Sequence, residues 1–378
     1  MDQSVLFICN YPSPYRVDFW NELGKHIKLT VVFTETLDEQ THRSTSWFKT
    51  NFESFEAVFL NDVVKIGKLR YYRDIFLIIR RGYSHIIVGG YASLTMMLAI
   101  DYMRNRKIDF YLEADGGLII QENIVKYYIK KHFISGAKYW LSSGKATSDY
   151  FLHYGAKSDA IIPYYLSSQW EKDLDNANQL RQLDRTELRI QLGVNEQHMI
   201  LSVGRFSYNR GYGKGYDVLC QAASKLDKQI GIYIIGDEPT SEFLKMKKDL
   251  KLTNVHFIGF KKKEDLAYYY AASDLFVLLT RSDVWGLVIN EAMSFGLPVI
   301  ATDKCGAGIS LIENGYNGYT VPAGDVESSV KAISEILNNP QKMKKMGELN
   351  REIISKYTIE NMVATHMKFF DDRSKENA

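Results

Sequence analysis

The first half of the chain repeats one pattern: a short apolar run rich in β-branched or aromatic residues, a few turn residues, then a longer stretch whose apolar positions recur at helical spacing. That alternation predicts parallel α/β structure, because strands buried on both faces read as continuous apolar runs while the helices between them need one apolar face. Residues 5–9, 29–33, 85–88, 110–112, 139–141 and 160–162 read as strands, and 16–26, 73–81, 92–105, 120–133 and 147–154 as helices. From 166 to 197 the chain turns polar and charged, and the rhythm then resumes with strands at 199–203, 231–235, 255–258, 275–278, 298–301 and 318–321. After Val326 the pattern is helical, with Val330, Ile333, Ile336 and Leu337 on one stripe and a further helix from about Ile359 to Phe370. The expected organisation is a first Rossmann-like domain over 1–165, a linker over 166–197, a second Rossmann-like domain over 198–356, and a C-terminal helix over 357–378 that crosses back to the first domain.

The length of 378 residues agrees with two domains, and 46% hydrophobic with 24% charged residues places the chain among soluble globular proteins. Lys plus Arg is 47 against 45 for Asp plus Glu, a net +2 that excludes bulk nucleic acid as the main partner. Cys9, Cys220 and Cys305 are scattered and form no CxxC, which argues against a disulfide framework or zinc site and for a reducing cytoplasm. The start, Met1-Asp2-Gln3-Ser4, lacks the basic region of a signal peptide. The uncharged stretch 86–100 contains Gly89-Gly90 and is shorter than the ~20 apolar residues of a membrane span, so no transmembrane helix is expected.

The strongest chemical signal is the segment from Asp283 to Ile300. A strand ends near Leu279, a polar loop carries Asp283, and a helix opens near Gly286, so free backbone N–H groups and a helix dipole lie where open α/β sheets bind ligands. Glu291 follows five residues later, ~7.5 Å along the helix axis at ~1.5 Å per residue, a spacing that suits a carboxylate holding a ribose. The alternative makes Glu291 a surface residue and Asp283 a helix cap. Upstream, Arg205 and Lys214 share one strand-to-helix loop, where two cations can clamp a diphosphate. A P-loop is rejected, since Tyr208 stands where its first glycine belongs and Gly215 replaces Ser/Thr. In the first half, polar groups gather at strand ends: Tyr15 and Arg16, then Tyr91, then Glu113 and Asp115. The two carboxylates either orient a sugar hydroxyl or cap the segment from Leu118 onward. Asp173-Leu174-Asp175 matches a metal-binding DxD but arises easily by chance in a charged stretch.

Gly204-Arg205 with Lys214-Gly215, Ile235-Gly236-Asp237, Val255 to Gly259, Ala272 to Phe276, Asp283 to Glu291, and Gly315 to Gly318 with Ala323-Gly324-Asp325 occur in the order seen in family 4 glycosyltransferases. Over about residues 199–326 the chain therefore resembles these retaining, nucleotide-sugar-dependent enzymes. The opening 10–23 is similar to bacterial members that build surface polysaccharides. Two departures are visible: Asp283 stands where the family usually has the first Glu of E-x7-E, and Ile162-Pro163-Tyr164-Tyr165 replaces Ile-Pro-Asn-Gly.

The resemblance implies an α/β fold of GT-B class, two Rossmann-like domains facing each other across a cleft. It implies that Arg205 and Lys214 bind the donor diphosphate, Glu291 the ribose and Asp283 the donor sugar. Gly204 and the amides around Gly286, Leu287 and Val288 complete the donor site, and Gly259 and Phe260 lie near the base. The first domain, with Tyr15, Arg16, Tyr91, Glu113 and Asp115, is expected to hold a saccharide or lipid-linked oligosaccharide acceptor. No metal and no cofactor is expected, the UDP- or GDP-sugar being the substrate. A nucleotide-sugar epimerase of the same fold and a non-catalytic sugar-nucleotide binding protein remain alternatives. Two basic aromatic stretches, 65–73 and 126–133, read either as solvated helix faces or as amphipathic helices in contact with anionic lipid, with Lys126, Lys130 and Lys131 the candidate anchors. The expected location is the cytoplasm, with peripheral contact at the inner face of the plasma membrane.

Overall fold

The computed structural model describes residues 3–35, 51–67 and 69–376. The chain divides into two units, one of residues 1–168 with 358–378 and the other of 169–357. In the first unit β1 (Ser4–Cys9), α1 (Pro14–Leu23), β2 (Lys28–Phe33) and β3 (Glu56–Phe59) lead to β4 (Val63–Ile66) and β5 (Leu69–Tyr72). Next come α2 (Asp74–Ile79), β6 (His85–Val88), α3 (Leu94–Asn105), β7 (Tyr111–Ala114), α4 (Ile124–Ile134), β8 (Tyr139–Ser142), α5 (Lys145–His153) and β9 (Ile161–Pro163). Seven parallel strands form one sheet in the order β3-β2-β1-β6-β7-β8-β9. β1 is an interior strand between β2 and β6, where Val5, Leu6 and Ile8 are fully buried; each such side chain contributes about 1.5–3 kcal/mol.

The second unit runs α6 (Glu171–Leu180), α7 (Arg185–Leu192), β10 (His198–Val203), α8 (Tyr216–Lys225), β11 (Ile230–Ile235), α9 (Ser241–Asp249), β12 (Val255–Ile258) and α10 (Lys263–Ala272). It continues through β13 (Leu275–Leu278), α11 (Leu287–Ser294), β14 (Val299–Thr302), α12 (Gly306–Leu311), β15 (Gly318–Val321), α13 (Val326–Leu337) and α14 (Pro340–Ile354). Its six parallel strands are ordered β12-β11-β10-β13-β14-β15. The last helix, α15 (Ile359–Glu376), belongs to the first unit, where Phe369 meets Tyr111 edge to face with ring centroids 4.9 Å apart.

Three expectations need correction. The charged stretch 166–197 is not a free connection: α6 and α7 are built into the second unit, with Arg185 and Arg189 both pairing with the buried Asp274, at 2.8 and 2.6 Å. Its charges are anchors, which is why composition alone imitates a linker. The basic stretch 65–73 forms no helix but the antiparallel hairpin β4–β5, with Gly67 at φ +59 beside the turn; Lys68 lies outside the described residues. β3, unread in the sequence, pairs with β2 alone among the described residues, and with Glu56 and Phe59 exposed it carries no continuous buried apolar run.

In each sheet the strand order reverses once, between β1 and β6 and between β10 and β13. Ligands of open α/β sheets bind outside the carboxyl ends of the strands at such switch points.

Candidate active site

In the second unit β10 runs out into Gly204 and Arg205. A Cβ on Gly204 would stand 2.8 Å from the Tyr216 hydroxyl and 3.3 Å from Lys214 Cδ and Cε, so its absence lets the lysine stem lie across the backbone. Lys214 Nζ ion-pairs with Asp283 Oδ2 at 2.6 Å and lies 5.5 Å from the centroid of the Tyr208 ring. Gly215, at φ +72, passes so close to β13 that a Cβ would fall 1.8 Å from the Leu279 carbonyl oxygen. Only glycine fits there. The Gly213 carbonyl accepts from Thr280 Oγ1 and Arg281 N, both at 2.9 Å, and Arg281 grips Asp217 bidentately at 2.7 Å. The Lys214 loop and the Asp283 loop are thus sewn together at the switch point. The Arg205 side chain is exposed and, among the described residues, carries no hydrogen bond or ion pair.

Asp283 is fixed through its backbone: its N–H donates to Lys304 O at 2.9 Å, and its carbonyl accepts from Gly306 N at 3.1 Å. Gly286, at φ +96, opens α11 beside Cys305, whose thiol burial pushes up to about 12, the range of an inert structural cysteine. No side chain caps α11, so the amides of half-buried Leu287 and Val288 face its start. Glu291, further along α11, accepts a 2.9 Å bond from the buried Tyr270 hydroxyl on Oε2. Burial raises its carboxyl, with Tyr270 and Lys263 acting against that rise. Phe260 is 78% exposed and stands with Gly259 after the edge strand β12, apart from the lysine.

At the switch point of the first unit, buried Arg16 pairs with both Glu113 and Asp115. Tyr15 donates to Asp115 at 2.6 Å and Tyr164 to the other Asp115 oxygen at 2.9 Å. Both carboxylates are thereby engaged by the start of α1, and neither caps the segment after Leu118, which has no helix before Ile124. Beside them lies a recess of about 130 Å³ lined by Asn10, Ser13, Tyr15, Arg16, Glu113 and Asp115 among others. Burial alone would raise the Glu113 carboxyl, but Arg16 and His366 outweigh it and bring it down to about 2. His366, fully buried on α15, places Nδ1 2.7 Å from the Met362 carbonyl and Nε2 3.1 Å from Glu113 Oε2. A carbonyl only accepts, so Nδ1 donates to Met362. Tyr91 is not brought to this cluster: its hydroxyl bonds that of Tyr150 and its ring stacks on Phe133. Asp173 of the DxD serves the backbone, accepting from Trp170 N at 2.8 Å and pairing with Lys263 at 2.7 Å. Among the described residues no three His, Cys, Asp or Glu gather as a metal would need.

The sequence does not assign Tyr164, Tyr270 or His366 a place in a site. Tyr164 shows only as part of the departure Ile162-Pro163-Tyr164-Tyr165, and His366 only as a polar group within the apolar stripe Met362, Val363, Phe369 and Phe370.

Residues 184–353 match the family model described as Glycosyl transferases group 1. An uncharacterized glycosyltransferase of Haemophilus influenzae is 33% identical over 175 residues, 44% of this chain and 47% of that protein. The O-antigen chain mannosyltransferase C of Escherichia coli is 26% identical over 178 residues, 46% of each. The chain spans about half the length of the curated relatives it matches. The crystal structure of Anabaena HepE in complex with UDP superposes with a TM-score of 0.74 at 17% identity, over 98% of this chain and all of that one. The second unit carries a glycosyl transferases group 1 domain, and the fold is that of GT-B glycosyltransferases.

Proposed function

We propose that this chain is a retaining glycosyltransferase that moves a hexose from a nucleotide sugar to a saccharide or lipid-linked oligosaccharide in the synthesis of a bacterial surface polysaccharide, such as capsule or lipopolysaccharide. The observation that carries the reading is the cation pair at the β10–β13 switch point, Lys214 held at Asp283 and Arg205 left free, inside the group 1 domain. The substrate class is that of relatives whose names record O-antigen mannosyl transfer and UDP binding.

In the proposed reaction the bond from the anomeric carbon to the diphosphate oxygen breaks, and a bond to the acceptor oxygen forms on the same face. The acceptor's proton passes to a leaving phosphate oxygen. Negative charge grows on the diphosphate, so Lys214, already held in place by Asp283, and the free Arg205 stabilise the transition state as the leaving group draws them in. Glu291 holds the ribose, Asp283 the sugar, Phe260 offers a face to the base, and the amides of Leu287 and Val288 meet the donor. The acceptor belongs to Tyr15, Arg16, Glu113 and Asp115 in the first unit. The donor, a UDP- or GDP-sugar, is a substrate, and the scheme uses no cofactor.

The proposed place of action is the inner face of the plasma membrane. Among the described residues no helix is long and apolar enough to cross a bilayer. The support is α4, which exposes Ile124, Val125, Tyr128 and Ile129 beside Lys126 and Lys131. Lys130 is committed elsewhere, to Glu122 at 2.6 Å.

Incubation with UDP- and GDP-sugars, with and without saccharide acceptors, tests the activity by mass spectrometry of the products. A new glycoside that requires acceptor is expected. An isomerised sugar formed without acceptor would make the protein an epimerase, and no turnover of any donor would leave it a binding protein.

A further inference from the structure

The donor site lies at the carboxyl ends of β10 and β13. At the opposite, amino-terminal ends of β13 and β14 is a second concentration of positive charge. Gly296, at φ +67, turns the chain from α11 toward β14, and a Cβ there would meet Arg351 Cδ at 3.2 Å and Arg181 Cζ at 3.3 Å. Two arginines, from the end of α6 and the last turn of α14, therefore converge on one backbone position.

Both are half-buried, and Arg351 Nε is buried with no hydrogen-bond partner. Neither guanidinium has a hydrogen bond or ion pair among the described residues. Burial and the charge of Arg351 both disfavour the charged form of Arg181, with Glu348 offsetting part of this. The adjoining recess, about 240 Å³, is lined by Arg181, Arg185, Ser273, Asp274, Gly296 and Lys344 among others. Asp274 does not neutralise it, being taken by Arg185 and Arg189. Arg181 and the exposed Lys344 line the recess, Arg351 meets Arg181 at Gly296, and none of the three has a carboxylate at ion-pair distance among the described residues, Glu348 acting on Arg181 only from further away.

Like charges held together away from bulk water are unfavourable unless an anion joins them, and planar guanidinium forks suit the oxygens of a phosphate. We propose that this recess binds a phosphate group, separately from the donor site. The group is either free inorganic phosphate or the phosphate of a small sugar ester, for which the volume leaves room beside Ser273.

Calorimetry on the full chain tests this, in an Arg205→Gln/Lys214→Gln background so that the donor loop contributes nothing, with chloride holding ionic strength constant. Inorganic phosphate and glucose 6-phosphate are titrated in turn. Saturable binding of either supports the site, and the tighter of the two identifies its source. Adding Arg181→Gln and Arg351→Gln should weaken binding by at least about tenfold, the loss expected for charge-assisted bonds. Lys344→Glu, on an exposed position that does not threaten folding, should weaken it likewise. Heat no greater than that of chloride, or affinity unchanged in Lys344→Glu and in the folded arginine variant, overturns the proposal.

Discussion

Lys214 and Asp283, the cation assigned to the leaving group and the carboxylate assigned to the sugar, hold each other at 2.6 Å, each less than one-fifth exposed. The pair stores the lysine in position, and a donor diphosphate must compete with Asp283 for it. Their separation in sequence is bridged by the contact of Gly215 with Leu279, so the pair is a property of the fold and not of two mobile side chains.

The two partners should therefore have opposite effects on nucleotide affinity. Lys214→Ala, like Arg205→Ala, is expected to lower turnover by ~10²-fold or more, as loss of one preorganised donor to a developing anion does. Asp283→Asn frees the lysine, so affinity for the bare nucleoside diphosphate should rise while transfer falls. Calorimetry with the nucleoside diphosphate beside initial-rate kinetics separates the two. Parallel losses of affinity in both variants would show that the pair is merely structural.

Glu291→Gln should weaken nucleoside diphosphate binding by ~1.5–3 kcal/mol, the range for a hydrogen bond to a charged group. Tyr270→Phe removes only the neutral partner that orients Glu291, and a loss of ~1 kcal/mol is expected. Because burial raises the Glu291 carboxyl, lowering the pH from neutrality should protonate it before ordinary glutamates and reduce affinity in parallel. An affinity flat with pH and unchanged in Glu291→Gln would leave this residue a structural partner of Tyr270 and not a ribose ligand.

A central strand such as 275–278, buried at every residue, reads as an unbroken apolar run, and the half-buried edge strands 255–258 and 318–321 coincide with the residues the structure assigns because aromatic and β-branched residues mark them between turn residues. Strand β3 lacks that signature. The candidate donor-site residues stand out in the sequence because they lie close together along it, Arg205 with Lys214 and Asp283 with Glu291. Their partners were not, since Tyr270 reaches Glu291 from another helix and His366 reaches Glu113 from 253 positions away. The charges of α7 misled for the same reason: Arg185 and Arg189 look solvated until Asp274 is placed between them.

Glu113 should make the first unit acid-sensitive in a defined window. Its carboxyl lies near 2 in the folded chain against 4.5 for an ordinary glutamate, so the ionised form is favoured by folding. That stabilisation, about 3 kcal/mol at full extent, is present above pH 4.5 and is lost as the pH falls toward 2. Glu113→Gln should lower Tm at pH 7 and flatten its decline below pH 4.5. A variant whose melting curve still falls as steeply as the parent's would assign the acid sensitivity to other carboxylates.

The membrane contact makes a prediction that separates apolar insertion from charge attraction. Ile124, Val125 and Tyr128 are each at least 60% exposed on α4, an arrangement that costs solubility unless the face is covered. Lys126 and Lys131 are exposed on the same helix, and each adds ~1 kcal/mol of attraction near an anionic surface at low salt. Replacing both lysines by Gln should weaken sedimentation with phosphatidylglycerol vesicles at low salt and matter little once salt shortens the ~8 Å Debye length further. Replacing Ile124, Val125 and Tyr128 by Ser should weaken sedimentation at every salt concentration, because apolar burial is not screened. Lys130→Gln serves as the control, since its charge is held by Glu122 and it should not alter vesicle binding while its loss loosens α4 from Tyr154. Transfer to a soluble acceptor analogue should survive the lysine and serine replacements. Vesicle binding equal to the parent's in both would exclude α4 as the contact.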